Sequence, residues 1–149
     1  MDFVVLGCGS IGTRHISDLE ALGQHVVAVA DPELPNGQEQ TKHGPVRSYS
    51  DPVECLQSEA KDRAVVIASP SKFHGGQALA AIDNGCSALL IEKPMTVSPD
   101  EALEVAEACK TYGVKAAVGH NFRFHKAYSE HMSKSKRGLL PFLVWTASD

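Results

Sequence analysis

Five apolar runs punctuate the chain: FVVLG at 3–7, VVAVAD at 26–31, AVVIAS at 64–69, ALLIEK at 88–93 and AAVGHN at 116–121. They are continuous instead of alternating, which predicts strands covered on both faces, as in a parallel sheet between helix layers. Between them the apolar residues fall at helical intervals. Ile11, Ile16, Leu19 and Leu22 predict one helical face, closed by Gly23. Asp51 before Pro52, with Glu54 following, reads as a capping box with proline at the first helical position, and Ser98, Pro99 and Glu101 repeat it. The helix opened by Ser98 carries Ala102, Val105, Ala106 and Cys109 on one face and stops at Gly113, as the preceding helix stops at Gly85. Strands alternating with helices over short connections predict a doubly wound, mostly parallel α/β sheet.

Two stretches break the pattern. Residues 33–47 are polar and hold Pro35, Asn36, Gly37 and Gly44, so they predict a loop or irregular crossover, with VRSYS at most a short edge strand. Residues 124–137 are polar and weakly helical, and LLPFLVWTA at 139–147 opens a new β-rich run. The expected domain boundary therefore falls after residue 122, with 123–149 beginning an incomplete second α/β domain. The alternatives for that run are an edge of the sheet or a contact with a second copy, giving a homo-oligomer through residues 139–149.

Composition narrows the class. With 149 residues, 43% hydrophobic and 21% charged, the chain is that of an ordinary globular domain. A net charge of -4 leaves no basic footprint, which argues against nucleic acid; the cluster Lys134, Lys136 and Arg137 reads as a solvated helix end. Cys8, Cys55, Cys86 and Cys109 form no CxxC pair and no zinc spacing, so they read as reduced, mostly buried thiols with no metal. No basic leader precedes the first strand, and no apolar run approaches the ~20 residues that span a bilayer. A cytoplasmic protein without a membrane partner is the expectation.

Candidate chemistry gathers at strand ends. GCGSIG at 7–12 follows the first strand and opens the first helix. Gly7 suits a tight turn, Gly9 close approach to a pyrophosphate, and Gly12 close helix packing, while the helix start offers free N–H groups. Nineteen residues beyond Gly12, Asp31 ends the second strand, where its carboxylate would accept from ribose hydroxyls and repel a 2′-phosphate. The expected cofactor is NAD in preference to NADP. A methyltransferase binding S-adenosylmethionine shares these two features and competes until the later strand ends are read. Ser69 and Pro70 end the run at 64–69, and His74 lies early in the next helix. Lys93 ends ALLIEK on the same edge, where an amine can bond a reacting hydroxyl or carbonyl and move a proton; Pro94 holds it extended and is open to a cis bond. VGHNFRFH at 118–125 brings His120, Asn121 and Arg123, donors and one permanent cation suited to a carboxamide, a polyol or an acidic substrate, with Phe122 and Phe124 as packing.

Together VVLGCGSIGTRH, VAVADP, ASPSKFHGGQALAAIDNG, ALLIEKPM and VGHNFRFH resemble the glucose-fructose oxidoreductase, inositol dehydrogenase and MocA family of NAD(P)-dependent oxidoreductases, over about residues 3–125. The EKP motif is the most specific mark and is not expected of a methyltransferase. The resemblance implies a Rossmann-like fold in which Gly7, Gly9, Ser10, Ile11 and Gly12 hold the pyrophosphate and Asp31 the adenosine ribose. It implies that Ser69, Pro70 and His74 line the cofactor groove and that Glu92 and Lys93 stand near the nicotinamide, Lys93 also being catalytic. Asn121 joins the cofactor contacts, and Lys93, His120, Asn121 and Arg123 border the substrate. Family members transfer hydride at a hydroxyl or carbonyl carbon of sugars, polyols or nucleotide sugars, using a second domain that supplies further catalytic residues. The 149 residues alone are accordingly expected to bind NAD without turnover; the competing function is a non-enzymatic NAD-binding or interaction module.

Overall fold

A computed structural model describes residues 1–41, 44–121 and 126. The chain divides into two compact units, Met1–Gly119 and His120–Asp149. The expected strand at 139–147, the weak helix at 124–137 and Phe122, Arg123 and Phe124 lie outside the described residues.

The first unit runs β1 (Asp2–Leu6), α1 (Ser10–Ala21), β2 (His25–Ala30), β3 (Gly37–Thr41), β4 (Gly44–Tyr49), α2 (Pro52–Glu59), β5 (Ala64–Ile67), a short 3-10 turn (Ser71–Phe73), α3 (His74–Asp83), β6 (Ala88–Ile91), α4 (Pro99–Tyr112) and β7 (Lys115–Val118). The sheet order is β3-β4-β2-β1-β5-β6-β7, parallel throughout except for the antiparallel β3–β4 pair. The chain works outward from β1 in one direction and then returns to β5 and works outward in the other. The direction therefore reverses between β1 and β5, which opens a crevice beyond their carboxyl ends.

Continuous apolar strands earn their place by burying both faces. All four residues of β5 are buried, and full burial of an aliphatic side chain contributes about 1.5–3 kcal/mol. On one face Val4, Leu6, Val65, Ile67, Leu89 and Ile91 pack with Leu56 of α2, Ala78 and Ile82 of α3, and Val105 and Cys109 of α4. On the other, Val5, Val29, Val46 and Val66 meet Ile16 and Leu19 of α1.

Several expectations are corrected. The polar stretch at 33–47 is no irregular crossover: it enters the β3–β4 hairpin, and VRSYS belongs to β4, an interior strand between β2 and β3. Val46 and Ser48 are its buried positions, and Ser48 Oγ donates to Pro35 O at 2.7 Å. Only Ile16 and Leu19 of the expected α1 face pack inward; Ile11, in the first turn, is 48% exposed and Leu22, the C-cap, 74%. On α4, Val105 and Cys109 are buried but Ala106 is exposed. β7, the last strand of the sheet, is largely exposed. Asp51 caps α2 by accepting from Val53 N at 2.8 Å, yet Glu54 accepts from Asn36 Nδ2 at 3.3 Å instead of closing the box. Ser98 makes no side-chain cap bond, and Glu101 packs against Gly75 of α3.

Candidate functional site

A row of backbone bonds carries the parallel ladder one step past the strands. Asp31 N donates to Tyr49 O, Gly7 N to Ala30 O, Ala68 N to Leu6 O, Glu92 N to Ile67 O and Gly119 N to Ile91 O, at 2.7 to 3.0 Å. These bonds set the glycine loop, Asp31, Ser69 and Lys93 along one edge of the sheet.

Within the loop, Gly7 has φ +88°, and a Cβ on it would stand 2.6 Å from Ser69 N and 2.7 Å from Ala68 O. A Cβ on Gly12 would run into the carbonyl of Gly7. These two glycines let helix, loop and β5 close on one another. Nothing lies within 4 Å of the place a Cβ would take on Gly9, so that side of the loop is open. The first helical bond of α1 is Thr13 N to Gly9 O at 2.9 Å, which leaves the N–H groups of Ser10, Ile11 and Gly12 without intrahelical acceptors. Helices α2 and α4 carry acids in their first turns, whereas α1 carries none. Its positive end is thus uncompensated, as an anion such as a pyrophosphate requires.

Asp31 is tied to that loop. Its Oδ2 accepts from Cys8 N at 2.7 Å and its Oδ1 from Glu33 N at 3.0 Å. Each oxygen keeps a second lone pair for a hydroxyl donor. Cys8 adds no negative charge to the loop: burial first, then Asp31 and Glu39, push its thiol up to about 12. Thr13 Oγ1 donates to Cys8 O at 2.9 Å and anchors the loop from the helix side. The donor set and the open side of Gly9 fit a dinucleotide.

The far half of the edge carries Ser69, Pro70, Glu92 and Lys93. Ser69 Oγ donates to Gln77 Oε1 at 2.6 Å, Pro70 is exposed, and Lys93 is exposed with a cis bond to Pro94. Glu92 is occupied. Its Oε1 lies 2.8 Å from Nε2 of His15 on α1, its Oε2 accepts from Lys93 N at 3.2 Å, and a Cβ on Gly119 would stand 2.8 Å from Oε1. His15 escaped the sequence reading because its partner is 77 residues away. The available signal was its place one turn after Gly12, in the quoted stretch VVLGCGSIGTRH. His74 is enclosed: it is 1% exposed and its ring nitrogens lie on the carbonyl oxygens of Pro94 and Ser69. His120 and Asn121 fall in the second unit and Arg123 lies outside the described residues, so the substrate-side assignment rests on sequence.

Comparison with known proteins gives the family. The model of the oxidoreductase family with the NAD-binding Rossmann fold, which takes in glucose-fructose oxidoreductase, inositol dehydrogenase and MocA, matches residues 1–120. The scyllo-inositol 2-dehydrogenase (NAD(+)) of Bacillus subtilis (strain 168) is 33% identical over 129 residues, 85% of this chain and 37% of that protein. The inositol 2-dehydrogenase of Mycolicibacterium smegmatis is 35% identical over 130 residues, with the same two coverages of 85% and 37%. The crystal structure of scyllo-inositol dehydrogenase from Lactobacillus casei, with bound cofactor NAD(H) and scyllo-inositol, superposes with a TM-score of 0.74 at 19% identity, over 89% of this chain and 40% of that one. At that identity the likeness is one of fold. The chain spans a little over a third of the length of the curated relatives it matches. With the fingerprint loop, the tethered acid and the Glu-Lys-Pro strand end on one edge, and a family match across residues 1–120, the chain belongs to the oxidoreductase family with the NAD-binding Rossmann fold.

Proposed function

We propose that this chain is the NAD-binding portion of an oxidoreductase that moves hydride between a nicotinamide and a hydroxyl or carbonyl carbon of a sugar, polyol or nucleotide sugar. The observation that carries the reading is the shared edge: the open glycine loop, Asp31 and Lys93 all follow carboxyl ends of parallel strands. The hydride acceptor or donor is the chemistry NAD supplies when bound. The chain's own residues bind and orient it, Ser10, Ile11 and Gly12 N–H groups toward the pyrophosphate and Asp31 toward the adenosine ribose. Lys93 takes the proton from the substrate hydroxyl in oxidation and returns it in reduction. The 149 residues alone bind NAD without turnover, a reading supported by the 37% coverage of the relatives, which carry far more chain than the match spans.

Preference for NAD over NADP follows from Asp31. A carboxylate already fixed by two backbone donors accepts from ribose hydroxyls and repels a 2′-phosphate. Calorimetric titration tests both parts: NAD binds the unmodified chain, and Asp31→Ala weakens NAD by about tenfold while NADP changes less or improves. A folded sample that takes up no NAD refutes the cofactor reading. An unchanged NAD to NADP ratio in the variant removes Asp31 from its role.

A further inference from the structure

His74 is more completely enclosed than the buried acids Glu20 and Glu59. Its Nδ1 lies 2.7 Å from Pro94 O, and its Nε2 lies 2.7 Å from Ser69 O. Both partners are carbonyl oxygens, which only accept. A neutral imidazole has one N–H and one bare lone pair, so one of the two short contacts would set lone pair against lone pair in a sealed site. A ring with a proton on each nitrogen donates to both. Both contacts are backbone, and they join two segments of the ligand edge: Ser69 after β5 and the turn that presents Lys93.

We propose that His74 is a charged, two-donor clamp that positions the Lys93–Pro94 turn against the end of β5. This rests on the reading of Lys93 as the proton-moving group. It makes His74 a positioning residue that acts through the backbone of its two partners.

The surroundings fit a cation. From α4, the carboxylate of Glu101 presses on Gly75, the residue after His74, and its Oε2 is buried with no hydrogen-bond partner. From the end of β6, Glu92 is engaged by His15 and Lys93 is exposed. From α2, Glu59 is committed to Arg47, Arg63 and Tyr49. On the 3-10 turn, the Lys72 ammonium lies over the Phe73 ring at 4.8 Å. β5 contributes no titratable side chain.

Two measurements test the clamp. In the histidine-labelled chain, long-range proton–nitrogen spectra at neutral pH, assigned by sequential correlations from the backbone, should show both His74 nitrogens protonated. A neutral-tautomer pattern overturns the proposal, and this arm needs no variant. NAD titrations at neutral pH then compare the unmodified chain with His74→Gln, which donates at one end only. The variant should bind NAD about tenfold more weakly. Matching affinity in the two proteins overturns the positioning role. Absence of NAD binding by the unmodified chain would defeat the proposed function, and the spectra would still decide the state of His74.

Discussion

Glu92 shows how a single carboxylate at a strand end is kept in place. Its side chain is 13% exposed and that of His15 22%, so each is the other's main polar partner away from bulk water. Removing one member leaves a largely desolvated acceptor, which costs about 1–3 kcal/mol. His15→Ala should therefore lower the urea unfolding free energy by that amount, and His15→Gln, which still donates, should recover most of it. Equal losses in the two variants would mean that ring packing, not the bond to Glu92, is what matters. The glycines were legible at this scale because their spacing is local. The His15–Glu92 pair was not, because only the sheet order brings α1 against the end of β6.

Among the elements, α2 does more than cover the sheet. Glu59 at its last turn is 3% exposed and accepts from Arg47 Nη2 at 2.7 Å, Arg63 Nη1 at 2.6 Å and Tyr49 Oη at 2.7 Å. Three donors around one buried carboxylate tie α2 to β4 and to the approach to β5. Loss of these charge-assisted bonds in Glu59→Ala should cost about 2–3 kcal/mol, read from the urea midpoint at constant slope. The cost is held down because the Arg47 side chain, 51% exposed, regains water. This strand pair leaves little trace in the hydrophobic pattern for a physical reason. β3 is polar GQEQT with one neighbour, so it lacks the apolar run that betrays an interior strand, and β4 then looked like an edge.

For the whole molecule, the buried thiols set an alkaline limit. Burial, the first cause in each case, raises Cys8 and Cys55 from 9.0 to about 12 and Cys86 to about 11, and raises Cys109 as well. Tyr49 is raised above 10.0 by burial and by the Glu59 carboxylate to which it donates. In every case the folded state holds its proton at a pH where the unfolded chain has released it. Stability is full below about pH 9 and falls as pH climbs through the 11 to 12 range, because the unfolded state then binds fewer protons. Urea midpoints under reducing conditions should decline over that window, and Cys55→Ala, though less stable at neutral pH, should decline less steeply. A flat profile would mean that the thiols are not held apart from solvent. No helix among the described residues is long and apolar enough to cross a membrane.

What the sequence determined by itself was local: among the described residues, five of the seven strands, the four α-helices, the glycine loop, Asp31 after β2 and Lys93 after β6. Each depends on hydrophobic period, turn chemistry or a short spacing, which neighbouring residues settle among themselves. The tertiary structure alone decided which polar groups would meet. His15 with Glu92, His74 with the carbonyls of Ser69 and Pro94, and Glu59 with two arginines and a tyrosine all depend on strand order and helix placement. A buried polar group takes whatever partner the packed backbone delivers, and that backbone is arranged mainly by apolar residues which carry no record of the pairing.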